Sequence, residues 1–317
     1  MSANNILLKY HHGGLKYHGT DTALTNILHT LHTHKDMGKI TCILQTDLSS
    51  CFDTIDHRIL IDKLNHYGIR DIELEIIKSY LAKRHFFVEV DTFWSDLQQS
   101  LDTSIVQGSI LSAILYLIYT NEIPLLSKVM KDSQLYNKIT DNTKNMTFEA
   151  NNYNNIIHFI LNYIDDSSNI ISHNDKDILI NYLTEYYILL EFYYNKNKLL
   201  INADKTVLLT SCSNNLRKLA NQIQFQAGKF LIKQKSKIKI LGYILNNTLT
   251  HDSYINNIIS KVNYKINIIN TISKYMSEKT RIITITAIIY SVIRYATCSS
   301  HLLFSNLDSY HQSLFFY

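Results

Sequence analysis

The sequence predicts an α+β fold built on a mainly antiparallel sheet. β-branched, apolar runs such as ITCILQTDL predict buried strands. Apolar residues at helical spacing in IDHRILIDKLNHYG and KDILINYLTEYYILLEFYYN predict helices, the first ending at Gly68. The order strand, helix pair, helix, hairpin, helix, strands is typical of helices packed on an antiparallel sheet.

In the first half of the chain, the strand ITCILQTDL is expected to end at Asp47. The preceding helix, DTALTNILHTLH, is expected to have Thr20 or Asp21 as its N-cap, because these side chains accept hydrogen bonds from backbone N–H groups. A further helix, IELEIIKSYLAKR, leads to a strand or hairpin around HFFVEVDTFWS. The apolar helix GSILSAILYLIYTNEIP is expected to be halted near Pro124.

The second half begins with a polar, Asn-rich stretch, residues 128–155, which we expect to be a mobile surface insertion. A hairpin, HFILNYIDDSSNIISH, follows with two acids at its crest, and then a helix. KLLINADKTVLLTS is expected to form two short strands around an Asn-Ala-Asp-Lys turn. Further strands, some of alternating polarity, lead into a helical last fifth.

Composition narrows the class of protein. With 317 residues, 46% apolar and 18% charged, the chain can bury a sizeable core. Its net charge of +4 is compatible with a polyanionic partner. Four cysteines without CxxC pairing disfavour structural zinc and disulfides, so we expect a reducing compartment. No apolar leader or membrane span is evident, which predicts an intracellular protein, cytoplasmic or nuclear and not secreted.

Adjacent Asp165 and Asp166 at the crest of a hairpin have two interpretations. The ordinary one is a polar turn, since Asp and Ser favour turns. The other depends on Asp47, at the end of a core strand, joining them in one cluster. Three clustered carboxylates repel one another and would raise at least one pKa. Divalent cations remove that cost, and two Mg²⁺ ions can hold both oxygens of a phosphoryl displacement. The hypothesis is therefore a metal site.

Five sequence segments connect this metal-site hypothesis with a known protein family. QTDLSSCFDTIDHRILIDKLNHYGI, VQGSILSAILYLIYTNEIP, NYIDDSSNIIS, INADKTVLLTS and IKILGYILNNTLTHDSYINNIISK occur in this order. Together they resemble the palm motifs and thumb entry of reverse transcriptases of the non-LTR retrotransposon type, and HHGGLKYHGTDTAL resembles the finger segment before them. The resemblance implies a right-hand polymerase: partial fingers at residues 1–40, a palm at 41–245 with the Asn-rich insertion, and partial thumb helices at 246–317.

The resemblance also implies an activity, RNA-directed DNA polymerisation. Asp47, Asp165 and Asp166, with the Leu48 backbone carbonyl, would hold two Mg²⁺ ions, for which Mn²⁺ could substitute. A DNA primer's 3′-hydroxyl would attack the α-phosphate of an incoming deoxynucleoside triphosphate (dNTP) on an RNA template.

Further residues match the family's nucleotide and primer contacts. Phe52 matches the aromatic residue that excludes a 2′-hydroxyl, and Lys205 matches a lysine near the triphosphate. Gln107 and Gly108 match the nucleotide-pocket loop, and Leu241 with Gly242 matches the primer grip. Each also has an ordinary structural interpretation: core aromatic, solvated lysine, helix-entry turn and strand, respectively.

Several departures from the family pattern leave two further hypotheses open. Ser104 and Val106 replace the usual Gly and Pro, Ile164 replaces a small residue, and only 46 residues precede Asp47. We therefore expect incomplete fingers and a short thumb. The first alternative is a degenerate nucleic-acid-binding remnant without catalysis. The second is an interaction domain in which the acids merely cap strands.

Overall fold

The computed structural model describes residues 6–8, 11–82, 84–99, 102–140, 153 and 155–298. Its strands are β1 (His11–His12), β2 (Ile40–Leu48), β3 (His85–Phe86), β4 (Glu89–Val90), β5 (Phe93–Trp94), β6 (Gln98–Gln99), β7 (Ile157–Tyr163), β8 (Asp166–His173), β9 (Ile201–Ser211), β10 (Gln224–Ala227), β11 (Phe230–Lys233), β12 (Lys237–Ile240) and β13 (Tyr243–Asn246).

The helices are α1 (Thr20–Asp36), α2 (His57–His66), α3 (Asp71–Leu81), α4 (Ile110–Tyr119), α5 (Leu126–Val129), α6 (Ser133–Thr140), α7 (Lys176–Lys196), α8 (Arg217–Ala220), α9 (Asp252–Ser273), α10 (Glu278–Ile285) and α11 (Ser291–Cys298). A π-helical turn, Thr286–Tyr290, joins the last two. Among the described residues, no helix has the length and apolar content needed to cross a bilayer.

One five-stranded sheet, with the order β1-β7-β8-β2-β9, organises the fold. The three pairings among β7, β8, β2 and β9 are antiparallel, and only β1 runs parallel to its neighbour. The expectation of a mainly antiparallel sheet is therefore confirmed. The remaining strands form separate two-stranded sheets, including the β12–β13 hairpin.

Each face of the sheet carries its own apolar core, because side chains alternate along a strand. On β2, Cys42 and Leu44 belong to a cluster that includes residues of α4 and α7. Ile43, between them, belongs to a second cluster with α1 and the β12–β13 hairpin. Both faces are thus covered over much of their length, which holds β2 and β8 rigidly where they end.

The predicted strand of Asp47, the hairpin of the paired acids and the helices after them are confirmed. The predicted N-cap of α1, Thr20 or Asp21, is wrong: the N-cap is Gly19, whose N–H donates to Thr22 Oγ1 at 3.0 Å. The expected pair of short strands after α7 is also wrong. β9 is one continuous strand with a bulge, because both of its ends pair with β2.

The Asn-rich stretch differs from its prediction in the part that the structure describes. Instead of an irregular insertion from Lys128 onward, residues 126–140 contain α5 and α6. Met130 and Tyr136 from this stretch are buried in the core, which the abundance of polar neighbours in the sequence conceals. The rest of the predicted insertion, residues 141–152 and 154, lies outside the described residues.

Candidate active site

The paired acids lie at a tight turn between β7 and β8. Tyr163 pairs with Asp166, so Ile164 and Asp165 form a two-residue loop. Ile164 has φ of 54°, in the left-handed region that β-branched residues rarely adopt. Backbone strain of this kind clusters at functional sites, where the surrounding structure holds it in place.

The amino-terminal segment packs directly against this loop. Ile164 N donates to His12 O at 3.2 Å. At Gly13, φ is 79° and an added Cβ would lie 2.9 Å from Ile164 Cγ1, so a side chain there would collide with the loop. The predicted finger segment therefore reaches the acids through a position where glycine is required.

Asp47 comes to the same edge of the sheet through the pairing of β2 with β8. Thr46 pairs with Ser167, and the next step of this antiparallel register places Asp47 beside Asp166. The two residues line one cavity of about 330 Å³. Asp47 and Asp166 therefore lie at one edge of the sheet, and their role as metal ligands together with Asp165 stays a prediction.

The electrostatics of Asp166 indicate that all three acids are neighbours. Burial, with the negative charges of Asp165 and Asp47, raises the pKa of Asp166 above its ordinary value. Lys205, on the bulge of β9, partly offsets this charge: its Nζ lies 3.4 Å from Asp47 Oδ2. That buried Oδ2 has no hydrogen-bond partner, so the ion pair is its charged contact.

Asp165 accepts a hydrogen bond from a cysteine that follows β2. The Cys51 thiol donates to Asp165 Oδ2 at 3.8 Å. Burial, followed by the nearby Asp165 charge, raises the pKa of Cys51 to about 12, so the thiol keeps its proton at neutral pH. Within the described ranges, no three His, Cys, Asp or Glu side chains are already arranged as a metal site. The three acids are therefore not gathered into a common ligand geometry in this structure.

A buried polar network lies behind β8. Tyr186 donates to Asn169 Oδ1 at 2.6 Å, and Asn169 Nδ2 donates to Ser167 Oγ at 3.3 Å. Tyr182 lies 2.9 Å from His158 Nδ1, whose ring also contacts Asn169. Burial lowers the pKa of His158 to about 3, which keeps its ring neutral. The network supports Ser167, the residue next to Asp166.

The other predicted residues lie outside the cavity lining. The Phe52 ring stacks on Tyr116, with centroids 5.0 Å apart, and is half-buried. Leu48 is the buried last residue of β2. Gln107 and Gly108 form an exposed turn before α4, where Gly108 has φ of 83°.

The predicted primer grip is the turn of the β12–β13 hairpin. Leu241 and Gly242 have φ of 46° and 84°, as a tight hairpin turn with two left-handed residues requires. Tyr295 of α11 donates its hydroxyl hydrogen to Leu241 O, and its ring lies 3.4 Å from the position of a Cβ on Gly242. The carboxy-terminal helices therefore contact the turn directly.

Sequence reasoning missed three lysines of the cavity lining: Lys235, Lys237 and Lys239. Their signal was present in KQKSKIKI, where lysine and isoleucine alternate. Alternation predicts that the lysines of β12 share one face, but it does not reveal what that face meets.

Comparisons with known proteins identify the family of this chain. A family model described as reverse transcriptase (RNA-dependent DNA polymerase) matches residues 7–245. Curated protein sequences contain no match. Apo telomerase from Candida tropicalis, truncated from its C-terminal domain, is 14% identical with a TM-score of 0.48, covering 76% of this chain and 40% of that one.

Telomerase from the same organism, in complex with a TWJ fragment of telomeric RNA, is 13% identical with a TM-score of 0.47, covering 95% of this chain and 44% of that one. The chain thus spans less than half the length of these structures. The narrower resemblance to non-LTR retrotransposon enzymes stays a prediction. On the strength of the family match over most of its length, the chain has a palm-type polymerase fold and belongs to the reverse transcriptase family.

Proposed function

We propose that this chain acts as an RNA-directed DNA polymerase that transfers a nucleotidyl group from a dNTP to a primer 3′-hydroxyl on an RNA template. One observation carries the proposal: Asp47 and Asp166, from adjacent strands, open onto one cavity with Asp165 in the adjoining turn. Family membership supports the same activity. This proposal includes the non-LTR retrotransposon subtype and the boundaries given above for the partial fingers, palm and thumb. It also includes the dNTP, the DNA primer and the RNA template as substrates.

The residues present fit a site for divalent cations. Asp47 Oδ2 is buried without a hydrogen bond, and burial, together with the charges of Asp165 and Asp47, raises the pKa of Asp166. Both observations describe oxygen ligands whose charge is under-compensated, which is the donor chemistry that Mg²⁺ prefers. Asp47, Asp165, Asp166 and the Leu48 carbonyl would hold two ions, with Mn²⁺ as a substitute. When bound, the ions supply positive charge at the reacting phosphate.

The remaining roles fall to side chains of this chain. Lys205, beside Asp47, would neutralise the triphosphate or give a proton to the leaving pyrophosphate. Phe52, whose ring stacks on Tyr116, would exclude a 2′-hydroxyl. Gln107 and Gly108 would contact the nucleotide and template, and Leu241 with Gly242 would position the primer end.

The test is primer extension on an RNA template in Mg²⁺ with the variant Asp165→Asn. We expect extension to be abolished and primer–template binding to be retained, because the change removes a ligand charge without removing volume. Asp175→Asn is the matched control. Asp175 caps α7 at the far end of β8, and Asn caps equally well, so this variant should extend primers normally.

Two results would contradict the proposal. If the wild type binds primer–template but extends none, even in Mn²⁺, the chain is a binding remnant. If it shows no salt-sensitive nucleic-acid binding at all, the interaction-domain hypothesis gains support, since phosphate contacts make binding fall with salt.

A further inference from the structure

Between α3 and α4 the chain forms a long hairpin, residues 85–99, which we call the ribbon. β3 pairs with β6 and β4 pairs with β5, and between these pairs Ser95 N donates to Val88 O at 2.9 Å. Every residue from His85 to Leu97 is exposed. A two-stranded hairpin that is covered on neither face is only marginally stable in water. The ribbon therefore lacks a surface to pack on.

The exposed side chains of the ribbon are mostly large and apolar. They are Phe86, Phe87, Val88, Val90, Phe93, Trp94 and Leu97. The Trp94 ring stacks on Phe87, with centroids 4.5 Å apart, which joins side chains of the two strands into one surface. Single exposed apolar residues are ordinary, whereas a contiguous apolar patch marks an interaction surface. The ribbon is such a patch.

The charge of the ribbon restricts the kind of partner. Its acids are Glu89, Asp91 and Asp96, and residues 85–99 contain no lysine or arginine, which gives a net charge of −3 with histidine neutral. Among the described residues, none of these three acids takes part in an ion pair. Such a surface repels the phosphates of nucleic acids and of anionic lipids. The partner that fits the ribbon is an apolar protein surface with positive charge.

A surface of that kind lies on α9. Four of its exposed side chains are large and apolar, and their spacings of four, four and three residues place them on one helix face. They are Tyr264, Ile268, Ile272 and Tyr275, which we call the α9 stripe. Lys261 lies on the same face, three residues before Tyr264, and Lys274 Nζ lies 5.1 Å from the centre of the Tyr275 ring. The sequence of α9 contains one acid, Asp252, at its first position. The stripe therefore complements the ribbon in apolar character and in charge.

A second copy of the chain supplies the contact between these two surfaces. Both are exposed in the same molecule, so the ribbon does not cover the α9 stripe of its own chain. The four aromatic side chains of the ribbon are 46–79% exposed and offer on the order of 500 Å². A stable interface buries about 800 Å² per partner, which one such contact does not supply. Two reciprocal contacts bury the ribbon and the stripe of each copy, and this roughly doubles the area.

We propose that two copies of this chain form a two-fold symmetric dimer in which the ribbon of each copy packs on the α9 stripe of the other. In a two-fold dimer the same two surfaces meet twice, so both apolar surfaces are buried and the assembly closes at two copies. Glu89 and Asp96 of each ribbon then meet the positive charge of Lys261 and Lys274. The dimer is independent of the proposed polymerase activity, and its test needs no primer extension.

The test is sedimentation velocity of the full chain, free of nucleic acid, at protein concentrations from about 1 to 100 μM, where a modest interface assembles. We expect the wild type to become a dimer within this range. Two charge-reversal variants, Glu89→Lys/Asp96→Lys and Lys261→Glu/Lys274→Glu, should each dimerise at least about tenfold more weakly, because each places like charges at both contacts. An equimolar mixture of the two should dimerise again, because opposite charges then face each other at both contacts.

Apolar variants provide a matched control. Phe93→Ser/Trp94→Ser should leave the chain monomeric, because it removes the most exposed aromatic side chains of the ribbon. Ile72→Ser/Ile76→Ser removes two apolar side chains of α3 that are 74% and 61% exposed, and this variant should dimerise as the wild type does. Urea unfolding of each variant checks the fold, and recovery of the dimer in the mixture shows that both charge-reversal variants are folded.

Three results would overturn the proposal. The first is a wild type that stays monomeric throughout the range, and the second is a mixture of the charge-reversal variants that stays monomeric while the wild type dimerises. The third is a Lys261→Glu/Lys274→Glu variant that dimerises normally while the ribbon variants do not, because the ribbon then packs elsewhere than on α9. If the wild type is monomeric and Lys261→Glu/Lys274→Glu weakens primer–template binding, α9 serves nucleic acid instead.

Discussion

Replacing Lys205 by glutamine should tighten Mg²⁺ binding while slowing polymerisation. The Lys205 ammonium lies 3.4 Å from Asp47 Oδ2, so a metal ion at the acids must compete with it. The two side chains are 67% and 40% exposed, so the pair is worth only about 0.2–1 kcal/mol. At about 1.4 kcal/mol per tenfold, removing this competitor should lower the Kd for Mg²⁺ by roughly 1.4- to 5-fold.

Polymerisation should respond in the opposite direction. If Lys205 neutralises the triphosphate or protonates pyrophosphate, the glutamine variant binds the ions better and yet transfers nucleotides more slowly. The two effects therefore separate the metal-competing role of Lys205 from its role toward substrate.

The assay is calorimetric titration of metal-free protein with Mg²⁺ at pH 7.5 and low salt, with primer extension measured in parallel. Lys218→Gln, an equal charge change at an exposed site outside the cavity lining, is the control. Raising the salt should shrink the effect, because exposed charges are screened. An Mg²⁺ affinity that is unchanged or weaker relative to the control would refute the argument.

Two further predictions concern stability. The pKa of Asp166 is raised in the folded state, so ionisation of this carboxyl lowers the free energy of unfolding. This destabilisation is absent below about pH 3.9, the pKa of an unfolded Asp, and grows as the pH rises through the raised pKa. Asp166→Asn should therefore have the higher urea midpoint in EDTA at pH 7.5, with the difference vanishing near pH 4; a less stable variant at pH 7.5 would show that the repulsion is absent. Ile164→Gly relieves about 1–2 kcal/mol of left-handed strain, loses about half the ~2–3 kcal/mol of an isoleucine's burial, and costs ~0.5–1 kcal/mol in chain entropy. Ile164→Gly should therefore change the free energy of unfolding by no more than about 1 kcal/mol. The control is Ile201→Gly: Ile201 is half-buried on β9 without backbone strain, and its loss should cost about 2 kcal/mol. Equal urea midpoints for the two variants would argue against strain at the loop.

Local sequence patterns were sufficient to predict a helix or strand wherever the periodicity of its own apolar residues specifies it. The strand of Asp47, the hairpin of the paired acids and the long helix after it were predicted close to their observed bounds. The resemblance of five ordered segments to reverse transcriptases was confirmed by the family match, while the narrower non-LTR retrotransposon type stays a prediction. Predictions failed where a polar segment is stabilised by distant partners. The Asn-Ala-Asp-Lys segment suggests a turn, yet it forms a bulge inside β9 because both flanks pair with β2.

The sequence by itself determined which acids, strands and helices the chain contains, since turn chemistry and hydrophobic period act over a few residues. Only the tertiary structure decided that Asp47 lies beside Asp166, that Cys51 contacts Asp165, and that Lys235, Lys237 and Lys239 line the cavity of the acids. The first two of these contacts join residues more than a hundred positions apart. They depend on the order and register of the strands, which are set when both faces of the sheet pack at the same time. The local sequence pattern of one strand does not specify that order or register.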